Sequence, residues 1–525
     1  MKKHPARHMV RFANLDRVIA AFEGETLLQS ARRAGVRIAG ACGGRGVCGS
    51  CHVRILSGQT GIHPGQQEQP ENGTTWIRAC QVEPLSDLVV EVSPRARAAQ
   101  VRADVQCLGD DQEITGFVPG RRGALGFAID LGTTNMAGSL TDLESGKRLV
   151  SLGIENPQSA YGADLISRLS HAIRTPDGAR ELQSIVIQGI ESLAELLCAE
   201  IAVVPTNIIE IALCGNTAMH HLLLGLPVFR LGRAPFIPDT CSAIDTTARD
   251  LGLDSMPGAS VHLLPNIGGF VGGDHVAALL ATEHLWNTGT SMVIDIGTNT
   301  ELSLIHNGTI STASTASGPA LEGGNISCGM RAAEGAIEKV WLSEGEIITR
   351  VIGGGSPLGI CGSGVLDALN ALRQAGIINR RGYISPGSPT VAETGGIRKY
   401  SFAPDVVMTQ SDVRAVMLAK AAIRAGQDML LADAGLTEQA MQRILIAGAF
   451  GAYIDISSAI NIGLFPDLPL ERFTQVGNAA GTGVRMALIS PAMRGKAAGL
   501  AKRCRHLELN SMAGFQKAFI GRIHL

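Results

Sequence analysis

The sequence predicts a multidomain chain of mixed α/β and α+β class, with a small half-open sheet in front and two related α/β lobes behind. Three observations carry that expectation. Four cysteines, Cys42, Cys48, Cys51 and Cys80, fall within 39 residues on and after a glycine-rich loop. An apolar strand ending in D-x-G-T occurs twice, at Asp130 and at Asp295, 165 residues apart. Finally, 525 residues that are 45% hydrophobic and 18% charged suffice for two to four packed domains and exclude wholesale disorder. Lys+Arg total 45 against 47 Asp+Glu, and a net charge of -2 argues against a dedicated nucleic-acid binder. Glycine is abundant, 64 residues against 4% aromatics, as expected where turns are tight and backbone approaches a ligand closely. No uninterrupted apolar run reaches the roughly 18–20 residues of a membrane span. The opening MKKHPARHMVRFANLD leads into no apolar stretch of a secretory signal, so a cytoplasmic location away from membranes is expected.

Along the chain, MVRFANLDRVIAAF reads as a hairpin. A short helix then opens near Gly24 to Thr26, with Leu27, Leu28, Ala31 and Ala34 on its buried side. ACGGRGVCGSCHVRILSG carries three of the cysteines and WIRACQVEP the fourth, a C-x5-C-x2-C-x28-C spacing. HVRIL at 52–56 and DLVVEV at 87–92 complete the sheet as strands. Four tetrahedral thiolates suit structural zinc, but a zinc knuckle has no need of a glycine loop wrapped around it. Such a loop turns its N–H groups toward bridging sulfides, which favours a [2Fe–2S] cluster; a redox dithiol at Cys48 and Cys51 leaves Cys42 and Cys80 without a role. The remaining cysteines, Cys107 among them, read as small buried hydrophobes.

GACGGRGVCGSC together with Cys80 resembles a [2Fe–2S] ferredoxin, its five-residue first gap closer to the adrenodoxin-like subclass than to the plant pattern. The resemblance implies a β-grasp ferredoxin-like domain. Residues 1–100 hold 13 Lys+Arg and 8 Asp+Glu, a mildly basic balance where electron-shuttling ferredoxins are often acidic. The expected division is this domain over 8–93, a linker with one or two short strands over 94–125, a first lobe over 126–290, a second over 291–500 and a tail over 501–525.

The repeated hairpins have a definite chemistry. An Asp at the end of an apolar strand orients Mg²⁺, usually through water, because hard oxygen ligands suit that ion. Gly132 and Gly297 let the hairpin bend, and exposed N–H groups with the hydroxyls of Thr133, Thr134 and Thr298 contact phosphate oxygens. Neither a P-loop nor a strand-linked GxGxxG is present. Glycine-rich breaks follow at CGNTAMHHLLLG, GPALEGGNISCGM, GGGSPLGICGSGVLDALNAL, RILIAGAFGAYID and VGNAAGTGVRMALIS. The third of these presents N–H groups ahead of an amphipathic helix, a natural anion site.

This portion resembles the ATPase superfamily of actin, sugar kinases and acetate kinase, which implies a two-lobed actin-like (ribonuclease H-like) ATPase. By that resemblance Asp130, Gly132, Thr133 and Thr134 form a first phosphate loop and Asp295, Gly297, Thr298 and Asn299 a second. Gly448 and Gly451 fall at the adenosine motif, and Asp164 and Asp274 are the candidates for the acid that positions hydrolytic water. The whole chain is similar to the reductive activators of corrinoid proteins, through IDLGTTN, ENPQSAYGADLISRL, IDIGTNTELSL, GPALEGGNISCGMRAA and CGSGVLDALNAL beside the cysteine spacing. That resemblance implies an ATP-hydrolysing iron–sulfur reductase that passes one electron from the cluster to Co(II) of a corrinoid protein and restores Co(I) for methyl transfer. It also implies ATP and Mg²⁺ as cofactors, an upstream low-potential electron donor, and a homodimer through the ATPase module. The serine-rich loop 311–324 is a candidate contact with the corrinoid partner, with Ser317 the hydroxyl to approach cobalt. The alternatives are an ATP-driven donor to another low-potential metalloprotein, a sugar-kinase-like enzyme with a fused ferredoxin domain, an NADH-linked electron-transfer component and a scaffold that has lost hydrolysis. The paired C-terminal [4Fe–4S] motifs of activators that serve methylamine methyltransferases are absent, leaving an isolated Cys504.

Overall fold

The computed structural model describes residues 6–34, 51–62, 76–93, 116–120, 122–162, 164–387 and 390–525, with positions 36, 38, 46, 96 and 114. Cys42, Cys48 and Cys107 lie outside them.

The N-terminal sheet runs Arg17–Phe22, Ala6–Phe12, Leu88–Val92, His52–Ser57, Ile77–Arg78. The first and last long strands pair in parallel at its centre, Val10 beside Leu88. The helix Leu27–Arg33 starts where Thr26 and Gln29 exchange hydrogen bonds: the Gln29 N–H donates to Thr26 Oγ1 at 3.2 Å and the Thr26 N–H to Gln29 Oε1 at 2.8 Å. Leu27, Leu28 and Ala31 are fully buried against Val10, Val53 and Val90, whereas Ala34 is only partly covered.

The two lobes are built on one plan. The first sheet runs Arg148–Glu155, Asn135–Asp142, Leu125–Leu131, Ile208–Gly215, Ser260–Leu263, with Ile244–Thr247 at its edge. The second runs Thr309–Thr315, Thr300–His306, Ser291–Ile296, Arg443–Ala447, Phe473–Gly477, with Cys504–His506 beside the first of these. In each, three antiparallel strands lead and two strands are added in parallel, so the chain order across five strands is 3-2-1-4-5 twice. A long helix precedes the fourth strand in both, Gly178–Glu200 and Gln410–Asp433. Another helix follows the fifth, Gly273–Trp286 and Ala479–Ile489. These last two cross between the lobes so closely that a Cβ on Gly483 would stand 1.9 Å from the carbonyl oxygen of Ala277.

Gly178–Glu200 is long and apolar enough to cross a membrane, which the sequence reading had not expected. Here Leu182, Val186, Ile190 and Leu193 bury it in the first lobe. The second lobe carries an extra module of two three-stranded sheets and the helix Gly362–Gln374. Residues past 500, expected as a tail, are part of that lobe: Cys504 to His506 pair with Ile310 to Thr312. The end of the linker is fastened to the two-lobed portion. The Val118 N–H donates to the Ile489 carbonyl at 3.3 Å, the Gly120 N–H to that of Leu143 at 2.6 Å, and Ile114 and Phe117 join the core around the crossing helices. Residues 116–120 form no strand.

Candidate active site

Of the four cysteines, Cys51 and Cys80 are described, and both are buried. The Ala79 N–H donates to the Cys51 carbonyl at 2.9 Å, and the Leu28 N–H donates to the Ala79 carbonyl at 3.0 Å, so the helix, the loop end and the distant cysteine are stitched together. Gly46 shows why the intervening loop is glycine-rich: its φ is +77°, and a Cβ there would fall 2.4 Å from Gln81 Nε2. Its carbonyl accepts from the Arg78 guanidinium. Two buried thiols on a backbone drawn this tight are a fit donor set for a thiolate-bound cluster.

The second centre lies between the lobes. Both D-x-G-T turns open onto one cavity of about 140 Å³, walled by Asp130, Thr133 and Thr134 from the first and by Asp295, Thr298 and Asn299 from the second. Gly132, Gly297 and Gly448 complete its floor. The turns touch: the Thr134 and Thr298 hydroxyls are 2.5 Å apart. Gly132 cannot carry a side chain, since a Cβ would meet the Asn135 carbonyl at 2.6 Å. Gly448, at φ +95°, would drive one into the Ile296 carbonyl at 2.4 Å.

Asp274 also lines this cavity, at the first turn of Gly273–Trp286, so one of the two proposed acids stands beside the paired aspartates. Burial, then the charge of Asp274, pushes Asp130 up to about 7. Burial pushes Asp274 up to about 6. Asp295 is held well above the usual carboxylate range by burial and by Asp274 and Asp130. Glu301, which sequence reasoning missed, is raised for the same reasons. None of the described lining residues is a lysine or arginine. Carboxylates gathered with no side-chain cation make a hard, all-oxygen donor set that suits a divalent ion accompanying phosphate.

Asp164 is a correction. It does not line the cavity; it caps the helix Leu165–Arg174, accepting from the Ser167 N–H at 2.7 Å and from the Ser167 hydroxyl at 2.9 Å. What its helix delivers is Arg168, fully buried, whose guanidinium donates to the carbonyls of Thr133 at 2.6 Å and Gly162 at 2.9 Å. Burial lowers that guanidinium to about 10, with Asp164 and Glu155 opposing the shift. Asn156 donates from its side chain to the Gly132 carbonyl at 2.8 Å, and from its N–H to that of Thr134 at 2.9 Å. The segment ENPQSAYGADLISRL thus buttresses the first D-x-G-T turn.

Ser317 is a second correction. It is 7% exposed, and its hydroxyl donates inward to the carbonyls of Gly297 and Thr298 at 3.2 and 3.3 Å, so it is not presented to a partner. The start of the expected serine-rich loop, residues 311–315, belongs to the mostly buried strand Thr309–Thr315. Glu322, further along, accepts from the Thr298 hydroxyl at 2.6 Å. Gly451 lies in a 3-10 turn just past the cavity, against Ile446. Next to the aspartate cavity is a larger one of about 360 Å³, bounded by Ala449, Phe450 and Tyr453 on one side and by Lys339, Arg350 and Gly362 on the other. Asn135, Glu322 and Ala449 line both.

Comparison with known proteins agrees with this division of labour. Residues 13–85 match the 2Fe-2S iron–sulfur cluster binding domain, 125–285 the RACo middle region, and 289–525 the C-terminal domain of RACo, the ASKHA domain. The corrinoid activation enzyme RamQ of Eubacterium limosum is 35% identical over 412 residues, which is 75% of this chain and 69% of that protein. The [Co(II) methylated amine-specific corrinoid protein] reductase of Methanosarcina barkeri is 27% identical over 389 residues, 68% of each chain. A solved reductive activator for corrinoid, iron–sulfur protein superposes with a TM-score of 0.74 at 30% identity, covering 99% of this chain and 98% of its own.

Proposed function

The chain belongs to the family of reductive activators of corrinoid proteins, and from that premise we propose that it couples ATP hydrolysis to transfer of one electron onto Co(II) of a corrinoid protein, restoring Co(I). The observation that carries this reading is the meeting of two D-x-G-T turns from duplicated lobes over a carboxylate-lined cavity, behind a domain with buried thiols.

When bound by Cys42, Cys48, Cys51 and Cys80, a [2Fe–2S] cluster supplies a one-electron carrier. The reason to involve ATP is energetic. Each 59 mV against a one-electron transfer costs about a factor of ten, and Co(II) of a corrinoid is a low-potential acceptor. Nucleotide binding that favours one lobe arrangement, followed by release, shifts the population of the productive complex.

In the cleft, Asp130 and Asp295 would hold Mg²⁺, which would offset phosphate charge, and the turn N–H groups and the Thr133 hydroxyl would take phosphate oxygens. The nucleoside occupies the adjoining larger cavity, against the Ala449–Phe450 turn. Asp274, at the first turn of Gly273–Trp286 and on the wall of the same cavity, holds the hydrolytic water. The partner is a corrinoid protein of a methyltransferase system, the electrons come from an upstream low-potential donor, the setting is cytoplasmic, and the ATPase module pairs two chains.

The test is direct. Purified protein shows a reducible [2Fe–2S] absorption spectrum, and its ATP turnover rises when a Co(II) corrinoid protein is added. Asp295→Asn loses turnover and retains iron and sulfide. Turnover stimulated by a sugar and indifferent to the corrinoid protein would overturn the reading.

A further inference from the structure

One hydroxyl from each turn, Thr134 in the first and Thr298 in the second, is already engaged. Thr298 has one hydroxyl hydrogen, and at 2.6 Å from Glu322 Oε2 it goes to that carboxylate. The Thr298 oxygen then accepts from Thr134, 2.5 Å away. A relay therefore runs from the first lobe to the second: Thr134 to Thr298 to Glu322.

Its far end is tied across the lobes again. Arg331 is the cation that acts on Glu322, and its guanidinium lies 3.5 Å from Glu155 of the first lobe. Glu322 alone among the carboxylates lines both cavities. It sits on the short turn Pro319–Glu322, between Gly318 at φ +74° and Gly323 at φ +79°, conformations that glycine adopts without strain.

We propose that Glu322 is a positioning residue that competes with the terminal phosphate of the bound nucleotide for the Thr298 hydroxyl, so that occupancy of the cleft is read out by the 318–331 segment. This deepens the nucleotide reading and rests on it. A phosphate oxygen at the second turn takes the donor that Glu322 now holds, and its charge repels the carboxylate. Glu322 then has only Arg331 to answer it, which draws that guanidinium from Glu155 and loosens one tie between the lobes. A diphosphate lacks the group that competes.

The experiment compares Mg·ATP and Mg·ADP binding to the full-length protein by calorimetry, for the parent, Glu322→Gln and Glu322→Asp. Glutamine removes the charge at the same size; aspartate retains the charge and withdraws it from Thr298. Both variants are expected to bind Mg·ATP about tenfold more tightly than the parent, because a charge-assisted bond no longer has to be broken. Mg·ADP affinity should change by less than about threefold. A residue that merely supports the fold would weaken both ligands on substitution. Mg·ATP affinity unchanged or weaker in both variants overturns the proposal, as does equal tightening for Mg·ADP. Failure of the parent to bind Mg·ATP would instead overturn the nucleotide reading itself.

Discussion

The two D-x-G-T turns share a sequence pattern and differ in what stands behind them. In the first, three consecutive carbonyls are held from outside the hairpin: Gly132 and Thr134 by Asn156, and Thr133 by the buried Arg168 guanidinium. In the second, the Gly297 and Thr298 carbonyls share one hydroxyl, that of Ser317, with the Gly318 N–H adding a bond to Thr298 at 2.9 Å. Ser317 and Gly318 belong to the same glycine-flanked segment as Glu322. Duplication has kept the aspartates in place, while the supports have diverged into a fixed turn and one tied to a segment beside the larger cavity. Movement on nucleotide binding is therefore expected in the second lobe.

The largest effect that would sharpen this contrast comes from Arg168. Arg168→Met leaves the Thr133 and Gly162 carbonyls buried without their donor, and unsatisfied buried acceptors of this kind cost about 1–3 kcal/mol each. Urea denaturation should show a loss of roughly 3 kcal/mol, with protection lost first in the first lobe. A loss confined to the second lobe would break the comparison.

Acid should separate the lobes next. Burial lowers His220 and His275 to about 3, and lowers His221 and His262 as well, four imidazoles in the first lobe against His506 in the second among the described residues. An imidazole whose folded value lies below its unfolded one contributes stability above about pH 6.5 that is lost as pH falls toward the folded value. His220 alone should account for about 2 kcal/mol by pH 5, at about 1.4 kcal/mol per pH unit. Hydrogen exchange between pH 7 and 5 should show first-lobe strands opening earlier, and His220→Gln should flatten that dependence.

Ser317→Ala is the smallest. The Gly318 N–H still holds the Thr298 carbonyl, so the expected cost is about 1 kcal/mol by thermal unfolding. If this variant proved as damaging as Arg168→Met, the asymmetry between the turns would be wrong.

The front domain was legible because its chemistry fixes spacing: Thr26 with Gln29 marks a helix start, and Gly46, two residues before Cys48, holds a left-handed φ that glycine adopts without strain. The paired D-x-G-T turns were legible for a similar reason, since a Cβ on Gly132 or on Gly297 would point at backbone, the Asn135 carbonyl at 2.6 Å and the Asn299 carbonyl at 3.3 Å. Asp164 was misread because a carboxylate beside polar residues near a helix start serves equally as a cap, and the sequence does not show which way it faces. Arg168 gave little signal, since its partners are carbonyls and carbonyls have no letter. Glu301 offered one that went unused, a carboxylate just ahead of the alternating Leu302, Leu304 run of a strand that follows the second turn. The common strand order of the lobes was hidden because a buried strand constrains only apolar character, which many sequences satisfy.

The crossing of Gly273–Trp286 with Ala479–Ile489 has a mechanical corollary. Where main chain rests on main chain, as at Gly483 and Ala277, no side chain is available to compress or slide, and the contact acts as a fulcrum that permits tilt and resists translation. A few degrees of rotation there is magnified at the cleft mouth. The chain leading to the iron–sulfur domain is rooted at Ile489, close to the axle of that lever, where displacement is least.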